Sequence, residues 1–160
     1  MTQNRQNSLE LYVRSLAPRT AIRPHLDRIQ TLEALAADGL VSEYTIHVVG
    51  DGIIHEGDYE EVPIAQHLTE RLAEIEAWTE EHDASVPGIR TTTVSETRFN
   101  DMEYTVTMVP HKMVLEYTGG QLRFCSPAVT DGQLFSVDEH LADIRTAAGY
   151  SDRSRVERNL

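Results

Sequence analysis

Cysteine, lysine and long apolar runs are scarce in this sequence, and each scarcity excludes a class of protein. Cys125 is the only cysteine, so one chain can form neither an internal disulfide nor a thiolate metal cluster. No apolar run approaches the roughly 18 residues of a transmembrane helix, and the polar segment MTQNRQNSLE has no signal-peptide hydrophobic region. These absences predict a cytoplasmic protein that has no membrane partner.

The scarcity of lysine accompanies an excess of acid. Lys112 is the only lysine beside 13 arginines, and 26 Asp and Glu residues give a net charge of −12. Acid-rich, lysine-poor composition is typical of proteins from salt-loaded cytoplasms, which predicts a haloarchaeal source. The charge is then an adaptation for solubility and is not evidence for a cationic partner.

The positive charge is concentrated near the start of the chain. Residues 1–28 hold five arginines against Glu10 and Asp27, a net charge of +3, so the rest of the chain carries −15. A basic segment on an acidic protein favours a nucleic-acid interface. The alternative is that these arginines are ordinary solvated side chains.

Residues 23–50 contain a compact helix-and-strand unit. Pro24 suits the first turn of a helix, and Gly39 suits the left-handed conformation that ends one. A β-favouring run over 44–49 then predicts a strand. The helix has a predicted apolar stripe of Leu26, Ile29, Leu32, Leu35 and Ala36.

This unit fits two folds. A glycine-terminated helix followed by an extended segment is typical of the recognition helix and wing of a winged helix-turn-helix domain, which needs another helix before it. It also fits the second half of a βαβ unit. Residues 8–16 alternate as a strand does, with Leu9, Leu11 and Val13 on one side, which favours βαβ.

The remaining pattern predicts an α+β fold of one domain over residues 1–160, with loose tails at 1–7 and 151–160. A second helix begins near Pro63, and a helix capped by Asp138 closes the fold. Between them lie three or four antiparallel strands, including a hairpin that turns at Gly119-Gly120. We expect the order βαβα, strands, helix, with the helices on one face of a mainly antiparallel sheet.

Few residues indicate chemistry. The chain has no G-x-S-x-G nucleophile motif, and Cys125 lies in a predicted strand, where a buried structural thiol is expected. His47, His55 and Glu56 could gather around a metal ion, but their spacing matches no known motif. We therefore predict a protein without enzymatic activity, cofactor or metal, and keep these three residues as weak metal candidates.

Several segments resemble a known family. They are VRSLAP at 13–18, RIQTLEALAADGLVSEYTIHVVG at 28–50, YTVTMVP at 104–110 and LEYTGGQLRFCSPAVTDGQLFSV at 115–137, followed by the closing helix. Together they are similar to small haloarchaeal proteins labelled as helix-turn-helix domain proteins. The resemblance implies a DNA-associated transcription regulator.

Two functions follow from these observations. In the first, the regulator contacts the phosphates of double-stranded DNA through Arg14, Arg19, Arg23 and Arg28. In the second, the chain is a non-enzymatic interaction module that forms a homo-oligomer through its sheet, and the helix-turn-helix label describes a βαβ unit. A homo-oligomer is expected in either case.

Overall fold

A computed structural model describes residues 7–14, 22–50, 52–55, 62–96 and 102–146 of the chain. Its strands and helices alternate at first and then give way to a run of strands. In chain order they are β1 Asn7–Val13, α1 Ile22–Ala37, β2 Glu43–Val48, β3 Gly52–Ile54, α2 Pro63–His82, β4 Ala84–Ser85, β5 Arg90–Glu96, β6 Met102–Met108, β7 Lys112–Thr118, β8 Gln121–Ser126, β9 Ala128–Thr130, β10 Gln133–Phe135 and α3 137–146. The predicted α+β class is confirmed.

The central sheet has four strands in the order β2-β1-β7-β8. β1 and β2 are parallel, with Leu11 opposite Ile46, so β1, α1 and β2 form the predicted βαβ unit. β7 pairs antiparallel with β1 on one side and with β8 on the other. In the described residues the element before α1 is the strand β1, whereas the winged helix-turn-helix alternative requires a helix there.

Helices cover both faces of this sheet, which corrects the expectation that they share one face. Leu9, Leu11 and Val13 of β1 pack with Leu32 of α1 and Leu141 of α3. Because side chains alternate along a strand, the residues between them point the other way. There Tyr12 joins a second core that includes residues of α2. The sheet is therefore the middle layer of three.

The buried stripe of α1 differs from the predicted one at a single turn. Leu32 and Leu35 are fully buried as expected, but Leu26 is 51% exposed while Arg28 is 8% exposed. Positions 28, 32 and 35 recur at four- and three-residue spacing, so the stem of Arg28 continues the buried line. The helix ends as predicted, with Gly39 at a φ of +72°.

The second helix, α2, matches its prediction closely. It begins at Pro63, and Leu68, Ile75 and Trp78 are its buried residues. The Trp78 indole N–H donates a hydrogen bond of 3.0 Å to the backbone oxygen of Arg123, which fixes α2 over β8. Asp83 ends the helix in the left-handed conformation.

Three short strands, β3, β4 and β9, were not predicted. β3 pairs with β6 in a sheet of order β3-β6-β5, and β4 pairs with β9 in a sheet of order β10-β9-β4. Elements of two or three residues are too short to show a periodic pattern. Gly52 is required at the start of β3, because a Cβ there would collide with the backbone oxygen of Thr107.

The predicted cap of the closing helix is wrong by two residues. The hydroxyl of Ser136 accepts a hydrogen bond of 3.1 Å from the backbone N–H of Glu139, so Ser136 caps α3. Asp138 lies inside the first turn, where its carboxylate faces Arg28. Of the predicted loose tails, residues 1–6 and 151–160 lie outside the described residues, and Asn7 begins β1.

None of the described helices combines the length and the apolar character needed to cross a membrane.

Candidate functional site

Two of the four arginines predicted to contact DNA are bound within the protein. Arg28 donates from Nε to Asp138 Oδ1 at 3.0 Å and from Nη2 to Oδ2 at 3.3 Å, which links α1 to α3. Arg14 donates to the backbone oxygen of Val109, at 2.6 Å from Nη2 and 3.2 Å from Nε. Both guanidinium groups thus hold separate elements together, and their contacts with DNA stay predictions.

The other two predicted arginines flank the start of α1. Arg23 lies in its first turn, with its side chain outside the described part of the structure. Arg19 lies wholly outside the described residues. Both follow Arg14 closely in the sequence.

That end of β1 meets the connection between β6 and β7. Lys112 pairs with Val13, and Arg90 of β5 pairs with Met108, one residue before the carbonyl that Arg14 binds. His111 at this connection is exposed. We call Arg14, Arg90, His111 and Lys112 the basic corner.

The basic corner lacks nearby acid in the two stretches that build it. Residues 84–95 and 104–115 contain no Asp or Glu, although the whole chain carries 26. These two stretches therefore contribute positive charge to the basic corner and no carboxylate of their own.

A second polar group of residues lies on the α2 face of the central sheet. Glu10 of β1, His47 of β2 and His67 of α2 place one potential metal-ligating atom each within 4.8 Å of one another. We call these three residues the Glu10 cluster. The parallel register brings His47 beside Tyr12, and the ring centroids of the two residues are 4.8 Å apart. The rings of His47 and His67 are separated by the same distance.

Of the three weak metal candidates, only His47 belongs to the Glu10 cluster. His55 lies away from the Glu10 cluster at the end of β3, where its Nε2 is 2.6 Å from the hydroxyl of Thr107. Glu56 lies outside the described residues. Glu10 and His67 are far from His47 in the chain, and only the βαβ pairing and the packing of α2 bring them together.

Hydrogen bonds fix the carboxylate of the Glu10 cluster. Arg71 donates from Nη2 and Nε to the two oxygens of Glu10 at 2.8 and 2.9 Å, a bidentate contact. The hydroxyl of Tyr12 donates to Glu10 at 2.7 Å and lies 2.8 Å from Nε2 of His67. Arg71 also pairs with Glu74, 3.1 Å away. Every polar side chain in this group therefore has a partner.

Burial shifts the protonation of this group. The pKa of His47 falls below its ordinary value, first because of desolvation and second because of repulsion by His67. The pKa of Tyr12 rises because of desolvation and its hydrogen bond to Glu10. At neutral pH His47 is therefore a neutral imidazole and Tyr12 a neutral phenol.

A third polar group lies on the opposite face of the sheet and is almost fully buried. Ser126 Oγ is 2.8 Å from Nδ1 of His140, whose Nε2 is 2.9 Å from Oε1 of Glu116. Asn7 donates to the other oxygen of Glu116 at 2.6 Å. We call Glu116, Ser126 and His140 the Glu116 network.

Serine, histidine and glutamate in this order suggest a catalytic triad, but the burial argues against it. Ser126 is fully buried, so no substrate reaches its hydroxyl, and His140 is 3% exposed. The Glu116 network is a structural link between β7, β8 and α3. Sequence reasoning missed it because its members lie on three elements with no motif spacing.

Cys125 is buried in the core on the α2 side of the sheet, and its burial was predicted. Desolvation raises the pKa of its thiol to about 12. The thiol is therefore protonated at neutral pH and is a poor nucleophile.

A cavity lies between α2 and the β3-β6-β5 sheet. Its volume is about 620 Å³ and its walls include Leu72, Ile75 and Ile89. His55 contributes a polar edge through its hydrogen bond to Thr107.

The fold defines an α+β protein with a βαβ unit at its start, and sequence comparison then assigns a family. The chain belongs to a family described as a helix-turn-helix domain, whose model matches residues 1–149. No curated protein and no solved structure matches the chain. The family description suggests a DNA-binding regulator, although no two helices are consecutive among the elements that the structure describes.

Proposed function

We propose that this protein is a non-enzymatic, DNA-associated transcription regulator of a haloarchaeal cytoplasm. Family membership over residues 1–149 carries the proposal. The resemblance to small haloarchaeal proteins and the acid-rich, lysine-poor composition support the source and the location.

The proposed DNA surface is the basic corner together with Arg19 and Arg23. Arg90 and Lys112 lie in the acid-free stretches, and Arg14 donates a hydrogen bond to the backbone oxygen of Val109 in the second of them. Arg19 and Arg23 follow in the segment that leaves β1. Arg28 serves this surface indirectly, because its pair with Asp138 holds the helix on which Arg23 lies.

This surface supports phosphate contacts rather than reading of base edges. Four to six cations give sequence-independent affinity that falls as salt rises, with log K decreasing by roughly 0.9 per phosphate contact for each unit of log salt. Sequence preference must then come from another part of the bound protein or from DNA shape.

The test is binding to a random-sequence duplex over a salt series. The double variant Arg90→Gln, Lys112→Gln removes two cations from the basic corner. We expect a weaker complex at every salt concentration and a slope reduced by roughly 2.

The matched control is Arg123→Gln, Arg145→Gln, which removes the same charge from two exposed side chains elsewhere. Equal loss in both double variants would show a general charge effect. Absence of binding by the unmodified protein at low salt would overturn the proposal.

A second candidate function is a homo-oligomeric interaction module. β2 is the outer strand of the central sheet and pairs only with β1 among the described strands. Exposed strand edges pair readily with a second chain, and Val48 on this edge is 46% exposed. Light scattering tests this candidate: a mass that falls to the monomer value on Val48→Lys supports pairing through β2.

A further inference from the structure

We propose that the Glu10 cluster binds a divalent transition-metal ion, with Glu10, His47 and His67 as its protein ligands. Two imidazoles and one carboxylate are a ligand set that Zn²⁺, Fe²⁺ and related ions accept. This inference goes beyond DNA binding and does not depend on it.

The geometry brings the three donors to one point from three elements. All of the ligating atoms lie within 4.8 Å of one another, and Nε2 of His67 is 3.9 Å from Oε1 of Glu10. Zn²⁺ binds such atoms at about 2 Å, so the donors must draw together by roughly 1 Å. Rotation of the partly exposed imidazole of His67 can supply this movement.

The surroundings hold the carboxylate in place for an incoming ion. Arg71 donates hydrogen bonds to both oxygens of Glu10. A hydrogen bond from a residue that does not itself bind the metal commonly orients a metal ligand. The guanidinium charge opposes a cation, but Glu74 pairs with Arg71 at 3.1 Å. The two carboxylates outnumber the one guanidinium, so the ion enters a region of net negative charge.

His47 has an outer partner of its own. Its Nε2 lies 3.1 Å from the hydroxyl of Thr45. Metal-ligating histidines commonly use their second nitrogen for such a contact, which fixes the ring orientation. With Nε2 bonded to Thr45, Nδ1 of His47 is the nitrogen left for the ion.

An ion that binds Glu10 and His67 must displace the hydroxyl of Tyr12, which lies between them. Its hydroxyl donates to Glu10 and lies 2.8 Å from Nε2 of His67, so it bridges two of the proposed ligands. Metal binding requires His67 to present a lone pair at Nε2 instead of a proton. Removal of the Tyr12 hydroxyl should therefore favour the ion.

Three ligands leave at least one coordination position for water or a small anion, since Zn²⁺ commonly takes four ligands. His67 has a partly exposed side chain, which gives the ion access from solvent. An ion can therefore enter and leave the site without opening of the core.

The experiment is calorimetric titration of chelator-treated protein with ZnCl₂, accompanied by absorption spectra of the Co²⁺ form. We expect one ion for each chain and visible Co²⁺ bands of a protein-bound ion. His47→Ala and His67→Ala should each weaken Zn²⁺ at least tenfold, whereas Tyr12→Phe should bind Zn²⁺ more tightly.

The matched control is His111→Ala, an exposed histidine outside the cluster, which should bind as the unmodified protein does. Circular dichroism checks that each variant is folded. Unchanged stoichiometry and affinity in the double variant His47→Ala, His67→Ala would overturn the inference, as would weaker binding by Tyr12→Phe.

Discussion

The two faces of the central sheet carry glutamate–histidine–hydroxyl groups that differ in how they are enclosed. The Glu10 cluster faces α2, and the side chain of His67 is 32% exposed. The Glu116 network faces α3, and the His140 side chain is 4% exposed. Similar residues therefore have different roles on the two faces. The buried Glu116 network fixes α3 to the sheet. The Glu10 cluster keeps its potential ligating atoms within reach of solvent.

Adjacent residues in paired strands explain why the two groups lie back to back. Leu9 pairs with Glu116, and Glu10 pairs with Leu115. Because neighbouring residues point to opposite faces, each of these strands contributes a glutamate to one face and a leucine to the other. The charge on each face is compensated separately. Arg71 pairs with Glu10 on one side. On the other side Glu116 is bonded to Asn7 and His140 and lies 3.8 Å from the guanidinium of Arg123.

The largest expected effect is on the Glu116 network. His140→Ala leaves the carboxylate of Glu116 and the hydroxyl of Ser126 buried with fewer partners, so we expect a loss of about 3 kcal/mol in the free energy of unfolding. His47→Ala, in the Glu10 cluster, should cost about 1 kcal/mol because water can replace the lost contacts. Urea denaturation followed by Trp78 fluorescence measures both. Equal losses of stability in His140→Ala and His47→Ala would contradict the claim that the two faces differ in how far their polar groups are enclosed.

The next effect concerns the salt bridge that also fastens α3. Asp138→Ala leaves the Arg28 guanidinium buried without its carboxylate, and we expect a loss of about 2 kcal/mol. Adding Arg28→Met should restore part of the lost stability. The apolar side chain of Met then occupies the place of the Arg28 stem in the buried stripe of α1, and no unpaired charge remains there. Urea denaturation of the single and double variants measures this recovery. A double variant less stable than Asp138→Ala would contradict this account.

A smaller effect is expected from the Glu10 cluster itself. Tyr12→Phe removes one hydroxyl that bridges Glu10 and His67, and should cost about 1 kcal/mol in the free energy of unfolding. Urea denaturation at neutral pH measures this loss. A chelator in the solution removes any metal ion that would add to the stability. An unchanged free energy of unfolding in Tyr12→Phe would contradict this account.

The smallest effect is the response of Cys125 to pH. Its folded pKa of about 12 lies above the unfolded value, so its contribution is complete below the unfolded pKa and is lost as pH rises towards the folded one. With an unfolded thiol pKa near 8.5, we expect a loss of about 0.8 kcal/mol at about pH 9. Cys125→Ala should abolish this loss in urea titrations at pH 7 and 9. Rapid reaction of the native thiol with a disulfide reagent at pH 8 would contradict the burial.

Sequence reasoning succeeded where one element contains its own pattern. The start of α2 at Pro63, the glycine end of α1 and the Gly119-Gly120 hairpin are all local, and the βαβ unit followed from the strand that precedes α1. The faces of the sheet were missed because β1 is buried on both sides, so that Tyr12 is as buried as Leu11. Alternation then does not identify a solvent face.

The candidate sites were less predictable because they are made by contacts between distant segments. His47 was named from its neighbours in the chain, but its partners come from β1 and α2. Arg28 was grouped with surface arginines, since nothing near it in the chain shows that Asp138 will face it. Charge patterns locate basic segments, and only the fold decides which charges are already paired.

The placement of β1 also has a consequence during synthesis. This first strand ends up between β2 and β7, and Asn7 contacts Glu116 across 109 positions of the chain. A ribosome must therefore release most of the protein before β1 gains its antiparallel neighbour. Until then one edge of an apolar strand is open in the nascent chain, which favours slow folding and makes early chaperone binding useful.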